Sequence, residues 1–402
     1  MSLLSVSEAL EKVLAGVEPL PPEETPLAQA HGRVLAEDLV ALRTQPPADV
    51  SAMDGYAVRS VDVSYVPARL TVIGEVAAGR PFAGKVGLRE AARIFTGGIM
   101  PAGADAVVIQ ELTQRDGDFV TVSKPTDAGR NVRSQGIDFT AGDLLLAKGR
   151  RLSSRDLALA AAMNHAAMPT HRAPRVALFA TGDELVLPGS KLEPGQIVYS
   201  NGYALAALIR AEGAQLMDQG IVPDRLDDTV AAIARARRWN ADVLVTTGGA
   251  SVGEYDLVQK ALGAADFDLS FWRVALRPGR PMLHGQIAEM RVLGLPGNPV
   301  SSFVCAFLFL VPLLRRLVGR GDLTHPVETA ILGRDLPEND ERADYLRATI
   351  EASSEPPVAT PLRPQDSSLM AALARSDCLI VREPFAPAAP AGSVCSIVKL
   401  GL

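Results

Sequence analysis

The stretch ADVLVTTGGASVGEYD, residues 241–256, places an apolar, β-branched run directly before three glycines and two carboxylates. The run predicts a buried strand, and the glycines predict a turn that leaves main-chain amides open. RVALFATGDEL (175–185) and MRVLGLPGNPVSSFVCAFLF (290–309) repeat this order of strand and glycine loop. With helices predicted at 201–213 and 227–239, the alternation predicts a central, doubly wound parallel α/β domain.

The three glycine loops are expected to meet, because loops that follow parallel strands leave the sheet at one edge. Glycines allow backbone N–H groups to face a ligand, and a following helix N-terminus adds positive partial charge, a combination that suits phosphate. One such loop alone would indicate only a turn. We therefore predict a phosphate-binding site from all three loops, with these binding residues: Thr181, Gly182, Asp183, Gly248, Gly249, Ser251, Gly253, Pro296, Gly297, Asn298, Pro299 and Ser301.

Carboxylates in the same loops would repel a phosphate unless a cation lies between them. The loops carry Asp183, Glu184, Glu254 and Asp256. Mg²⁺ commonly binds one or two protein carboxylates together with substrate phosphate oxygens, so the pattern predicts a magnesium site. The alternative that Asp183 and Glu184 only cap a helix stays open at this point.

Three arginines follow in FWRVALRPGRP, residues 271–281, at positions 273, 277 and 280. Guanidinium groups bind oxyanions in a bidentate manner and keep their charge, so Arg273, Arg277 and Arg280 are a candidate phosphate clamp. Three arginines on a solvated strand are the alternative.

The rest of the chain divides into three further predicted parts. Residues 47–140 carry short alternating runs between glycine turns and predict a small β domain. Residues 1–46 and 141–171 predict a helical linker region whose two helices, the second opened by a Ser153–Asp156 capping box, pack on each other. Residues 321–402 predict a C-terminal β domain, a barrel or sandwich, and residues 172–320 are the α/β domain.

Composition excludes several classes of protein. The formal net charge of −6 over 402 residues argues against nucleic acid or an anionic membrane as a partner. Three cysteines without paired spacing indicate neither disulfides nor zinc and favour a reducing cytoplasm. The apolar run Val300–Leu314 is interrupted by Pro312 and is shorter than the roughly 20 residues of a membrane span, so we expect a buried helix.

Six motifs resemble, in order, those of the MoeA family, the molybdopterin molybdenumtransferases that include the gephyrin E domain. They are SAMDGYAVR (51–59), RIFTGGIMPAGADAVV (93–108), GRNVRSQGIDFTAGD (129–143), ATGDEL (180–185), TTGGASVGEYD (246–256) and GLPGNPVS (294–301). The resemblance implies that molybdenum from molybdate is inserted into adenylylated molybdopterin, with Mg²⁺ present and AMP released. It also implies a homodimer whose site unites the α/β domain of one subunit with the β domain of the other.

The resemblance also carries individual residues. It implies catalytic roles for Asp54, Thr96, Asp138, Glu184 and Asp256, a substrate contact for Arg133, and metal ligation by Glu184, Asp224 and Asp256. Ser367 matches a family site position, although Asp366 and Ser368 flank it here where glycines are usual. The family often has lysines where this chain has Arg273, Arg277 and Arg280, so a proton-donating role there would be lost, whereas a fixed positive charge would be kept.

Two other functions remain alternatives. Molybdopterin adenylyltransferase has a fold that resembles the α/β domain, but it is usually a single small domain and consumes ATP. A non-catalytic scaffold of the gephyrin E-domain type is the second. The supplier of the substrate is expected to be the adenylyltransferase, with cofactor-accepting proteins downstream.

Overall fold

A computed structural model describes residues 3–248, 257–351 and 355–401. The predicted positions Gly249, Ser251, Gly253, Glu254 and Asp256 lie outside the described residues.

Residues 3–171 contain two α-helices and twelve strands, most of them short. In chain order they are α1 Val6–Leu14, β1 Pro22–Pro26, β2 Leu39–Val40, β3 Val50–Ser51, β4 Gly55–Val58, β5 Ala68–Val76, β6 Glu90–Ile94, β7 Ala106–Ile109, β8 Thr113–Asp116, β9 Phe119–Val122, β10 Val132–Arg133, β11 Leu144–Leu146, α2 Ser154–Ala162 and β12 Ala167–His171.

The remaining residues contain the longer helices and the central sheet. The elements are β13 Arg175–Thr181, β14 Leu185–Val186, β15 Ile197–Val198, α3 Asn201–Ala211, β16 Gln215–Val222, α4 Leu226–Arg238, β17 Val243–Thr247, α5 Leu257–Gly263, β18 Asp268–Arg273, β19 Leu276–Arg277, β20 Pro281–Ile287, β21 Met290–Leu295, α6 Pro299–Cys305, α7 Val311–Leu317, β22 Val327–Leu332, β23 Ala343–Glu351, β24 Val358–Pro361, α8 Met370–Ala374, β25 Cys378–Arg382 and β26 Val394–Lys399.

The central α/β sheet confirms the predicted class and adds an antiparallel edge. Its order is β16-β13-β17-β21-β20-β18. The first four strands are parallel, whereas β20 and β18 pair antiparallel. The edge differs because β20 and β21 are joined by a short connection at Ala288–Glu289, which only antiparallel neighbours allow. Strands β13 and β17 are buried on both faces, as a sheet covered by helices on both sides requires.

Helices α1 and α2 do not pack together, so that expectation is wrong. Ala9 and Val13 of α1 join the core that contains Phe307 and Leu313 of the α/β domain. Helix α2 instead packs in a separate cluster with Leu35, Leu146 and Met168. Both helices begin with capping boxes, at Ser5 and at Ser153. Local capping therefore predicts where each helix starts but not which core it joins.

The long apolar helix is buried, as expected, but Pro312 does not end it. The helix runs from Pro299 to Leu317 and changes to π form over Ala306–Leu310, which ends two residues before Pro312. A wider turn relieves the crowding that a proline ring causes against the preceding turn of an α-helix. By length and composition it is the one helix in the described residues that could cross a membrane, yet 83% of its most apolar window is buried inside the protein.

Two further β assemblies flank the central domain. Strands β4 to β9 form a six-stranded sheet in the order β7-β4-β6-β5-β9-β8. Strands β22 to β26 form a five-strand barrel that is closed by pairing of β23 with β25. The short strand β19 leaves the α/β domain and pairs in parallel with β23. This pairing joins the barrel to the central domain.

Candidate functional site

The three glycine loops meet at one edge of the central sheet. Strands β13, β17 and β21 are neighbours and end at the same level of the sheet: Ala180, the last but one residue of β13, lies opposite Thr247, and Thr247 lies opposite Leu295. A Cβ atom placed on Gly248 would lie 2.5 Å from the carbonyl oxygen of Thr181, and one on Gly297 would lie 3.7 Å from the Cα atom of Gly248. Gly248 also has a φ of +84°. Only glycine fits this close approach at position 248.

A cavity of about 640 Å³ opens between these loops. Its walls include Thr181 and Glu184 of the first loop, Gly248 of the second and Ser301 after the third. The third loop contributes every residue from Pro296 to Pro299. The volume is in the range of small-molecule sites. Most of the predicted loop residues within the described part of the chain therefore line a single space.

A second, smaller cavity of about 230 Å³ adjoins the same loops and is lined by Thr181, Gly182, Glu184, Asp224 and Gly248. The main-chain N–H of Asp224 donates to Asp183 Oδ1 at 3.1 Å. Asp183 is therefore not a helix cap, and the strand β14, not a helix, follows it. The alternative that Asp183 and Glu184 only cap a helix is therefore wrong.

The pKa of Asp224 is raised, and beside burial the crowding of neighbouring carboxylates is one of the causes. Burial is the main cause that raises its pKa, and the negative charges of Asp183 and Glu184 raise it further. Hydrogen bonds from the Asp183 backbone and the Thr181 side chain lower it by less. A cation beside these carboxylates would relieve the repulsion.

Ser367 of the barrel domain joins the third loop. Asn298 Nδ2 donates to Ser367 Oγ at 2.9 Å, and the N–H of Val300 donates to the Ser367 carbonyl oxygen at 3.1 Å. The neighbouring Ser368 and Met370 line the larger cavity. The residue that matched the family pattern most weakly is thus held against the predicted site.

The three arginines do not form one clamp. Arg277 donates to Asp344 through two guanidinium nitrogens, to Asp340 at 3.1 Å and to Asn339 Oδ1 at 3.0 Å. Its guanidinium therefore lies in another cavity, of about 790 Å³, at the mouth of the barrel.

The other two arginines are exposed. The Arg273 guanidinium lies 5.1 Å from the centre of the Trp272 ring. Arg280 is followed by Pro281, which lines the loop cavity. Of the three, Arg280 is therefore the one next to the predicted site.

The remaining predicted residues lie in the N-terminal half of the chain. Asp54 Oδ1 accepts from both the N–H and the hydroxyl of Thr96, at 2.7 and 2.8 Å, and these bonds lower the pKa of Asp54. Arg133 is exposed on β10, and the N–H of Asp138 donates to Gln45 O at 3.1 Å. None of these four residues lines either loop cavity.

Sequence reasoning missed one wall of the larger cavity, formed by residues 197–201. Tyr199 is 4% exposed, and its ring centre lies 6.0 Å from that of Tyr203. Asn201 begins α3, and its Nδ2 donates to Gly297 O at 2.8 Å. The available signal was the pair Ser200–Asn201 at the start of the helix predicted at 201–213, which follows the first glycine loop.

Three family models match successive parts of the chain. They are the MoeA N-terminal region (domains I and II) at residues 4–164, a probable molybdopterin-binding domain at 177–316 and the MoeA C-terminal region (domain IV) at 329–400.

Curated relatives named molybdopterin molybdenumtransferase match most of the chain. The one from Haemophilus influenzae is 33% identical over 399 residues, covering 98% of each chain. The one from Bacillus subtilis is 33% identical over 387 residues, covering 94% of this chain and 90% of its own.

A solved molybdopterin biosynthesis MoeA protein from Pyrococcus horikoshii superimposes with a TM-score of 0.85 at 32% identity, covering 100% of both chains. Identity of this level along the whole length shows more than a shared fold. The chain belongs to the MoeA family.

Proposed function

We propose that this enzyme of molybdenum cofactor biosynthesis inserts molybdenum from molybdate into adenylylated molybdopterin, with cleavage of the pyrophosphate link and release of AMP. The observation that carries the proposal is the meeting of three glycine loops around one cavity that Ser367 of the barrel domain adjoins. Backbone amides at the ends of adjacent parallel strands suit a diphosphate. The relatives are named molybdopterin molybdenumtransferase, which supports molybdenum as the group that is transferred.

The side chains around the two loop cavities have separable tasks in this proposal. The loop amides hold the phosphates, Ser301 and Ser367 orient oxygens of the substrate, and Arg280 adds positive charge from beside Pro281. Positioning and charge stabilisation supply most of the catalysis in phosphoryl chemistry, so no nucleophilic side chain is required.

A divalent cation fits the donor set. Asp183, Glu184 and Asp224 crowd together with a raised Asp224 pKa. No group of three His, Cys, Asp or Glu side chains stands ready to hold a metal in residues 3–248, 257–351 and 355–401. Mg²⁺ needs only one or two protein carboxylates when substrate oxygens and waters complete its shell. Glu184 and Asp224, with Asp256, would hold Mg²⁺, which would neutralise charge on the pyrophosphate.

Asp54 and Thr96 enter this proposal through a second copy of the chain. They lie on a separate sheet and line neither loop cavity. We propose a homodimer in which Asp54, Thr96, Arg133 and Asp138 of one copy complete the loop site of the other. The donor of the substrate would be an adenylyltransferase, the recipients would be cofactor-dependent enzymes, and the place of action would be the cytoplasm.

The test is AMP release from adenylylated molybdopterin, with and without molybdate and Mg²⁺. Wild-type protein should release AMP only when both are present. Glu184→Gln keeps the shape but removes the charge, so the rate should fall about 100-fold, a loss of roughly 2.7 kcal/mol of transition-state stabilisation. Glu193→Gln changes an exposed acid in the segment after β14 and should leave the rate unchanged. ATP consumption by the wild type, or AMP release independent of molybdate, would contradict the proposal.

A further inference from the structure

Asn201 occupies the first position of α3 and lines the larger loop cavity. Its Nδ2 donates to the carbonyl oxygen of Gly297 at 2.8 Å. The preceding residue, Ser200, makes no capping hydrogen bond to the helix. The side chain of Asn201 spans from the helix to the third glycine loop, 96 residues later in the chain.

The hydrogen bonding continues from that loop to the barrel domain. Asn298, which follows Gly297, donates through Nδ2 to Ser367 Oγ at 2.9 Å. The N–H of Val300 fixes the Ser367 backbone at 3.1 Å. Two side-chain amides thus act in series across three separate parts of the chain, from α3 through Gly297 and Asn298 to Ser367.

Gly297 and Asn298, in the middle of this series, are exposed, and among the described residues the Cβ position of Gly297 has one atom within 4 Å, the Gly248 Cα atom at 3.7 Å. Glycine has wide backbone freedom, so side-chain packing by the described residues contributes little to the peptide plane at 297. The Asn201 donor to the Gly297 carbonyl oxygen helps to set how that plane faces, and hence where the Asn298 side chain begins.

We infer that Asn201 is a positioning residue, whose amide orients the 297–298 peptide and thereby holds Ser367 Oγ beside the loop cavity. The role of Asn201 in catalysis rests on the proposed function, whereas the hydrogen-bonded connection from Asn201 to Ser367 does not. The required chemistry is specific: Gly297 O only accepts, so position 201 must present a donor.

The variant Asn201→Asp tests whether position 201 needs a hydrogen-bond donor or only a side chain of this size. At pH 8 the carboxylate faces the Gly297 carbonyl oxygen, and two acceptors repel each other. Asn201→Gln keeps the amide donor on a side chain that is longer by one methylene, and Asn201→Ala has no donor. Asn240→Asp makes the same change at an exposed position after α4 and is the matched control.

The readout is hydrogen–deuterium exchange of segments 296–301 and 366–370 in the full-length protein, each variant compared with wild type at the same pH. In Asn201→Asp both segments should exchange about 10-fold faster at pH 8, the factor that one lost hydrogen bond of about 1.4 kcal/mol gives. Asn201→Ala should also exchange faster, whereas Asn201→Gln and Asn240→Asp should stay within about 2-fold of wild type.

AMP release should fall in Asn201→Asp and Asn201→Ala and be kept in Asn201→Gln. Wild-type exchange in Asn201→Asp at pH 8, or the same acceleration in Asn201→Gln as in Asn201→Ala, would overturn the inference. A wild-type protein that releases no AMP would refute the proposed function alone, because the exchange result does not depend on turnover.

Discussion

At the scale of single residues, the wall of the larger loop cavity formed by residues 197–201 depends on the absence of a side chain at Gly202. A Cβ atom there would lie 1.8 Å from Tyr199 Oη and 2.2 Å from Cζ. Gly202 lies in the first turn of α3, where alanine is intrinsically the better helix former by about 1 kcal/mol. Tyr199 is 4% exposed and its hydroxyl has no hydrogen-bond partner among the described residues, so a side chain at position 202 would displace the ring from its present packing beside Asn201.

We predict that Gly202→Ala destabilises the protein by about 1–3 kcal/mol despite its helix propensity, because overpacking outweighs that gain. It should also weaken AMP binding measured by calorimetry. Gly263→Ala is the control, since no described residue has an atom within 4 Å of its Cβ position at the end of α5. Equal or greater stability of Gly202→Ala in urea unfolding would show that Tyr199 is not packed as described.

At the scale of elements, strand β19 ties the α/β domain to the barrel through Arg277. Asp344 on β23 is 5% exposed and accepts from two Arg277 nitrogens. Asp340 also accepts from Arg277, and its pKa falls to about 2, mainly because Arg342 donates to it. A buried carboxylate that loses its partner is strongly destabilising. Arg277 is therefore chiefly structural, which revises its expected place in a phosphate clamp.

Arg277→Ala should accordingly lower the free energy of unfolding by about 1–3 kcal/mol, and Asp344→Asn in the same chain should recover part of that loss, since the unpaired charge is then gone. Chemical denaturation of the two single variants and the double variant measures this coupling. If Arg277→Ala unfolds like wild type while AMP release collapses, the arginine binds substrate instead.

At the scale of the whole molecule, local sequence patterns predicted the features that depend on residues close together in the chain. Apolar runs ending in glycine at 248 and 297 predicted adjacent strands and a shared edge, and the capping box at Ser153 predicted the start of α2. The partners of α1, Arg277 and Ser367 could not be predicted, because each meets residues distant in sequence. The segment boundaries at residues 46, 140, 171 and 320 stay predictions, as do the catalytic roles.

The central claim is that the loops after β13, β17 and β21 form one phosphate-binding site beside Ser367. A crystal structure of the full-length protein with AMP, molybdate and Mg²⁺, with anomalous scattering to locate molybdenum, tests it most directly. The account predicts the AMP phosphate within hydrogen-bonding distance of the amides in loops 181–184, 248–249 and 296–299, with the molybdenum peak near Ser367. AMP or molybdenum bound instead at the barrel mouth beside Arg277, with the loop cavity holding only water, would contradict it.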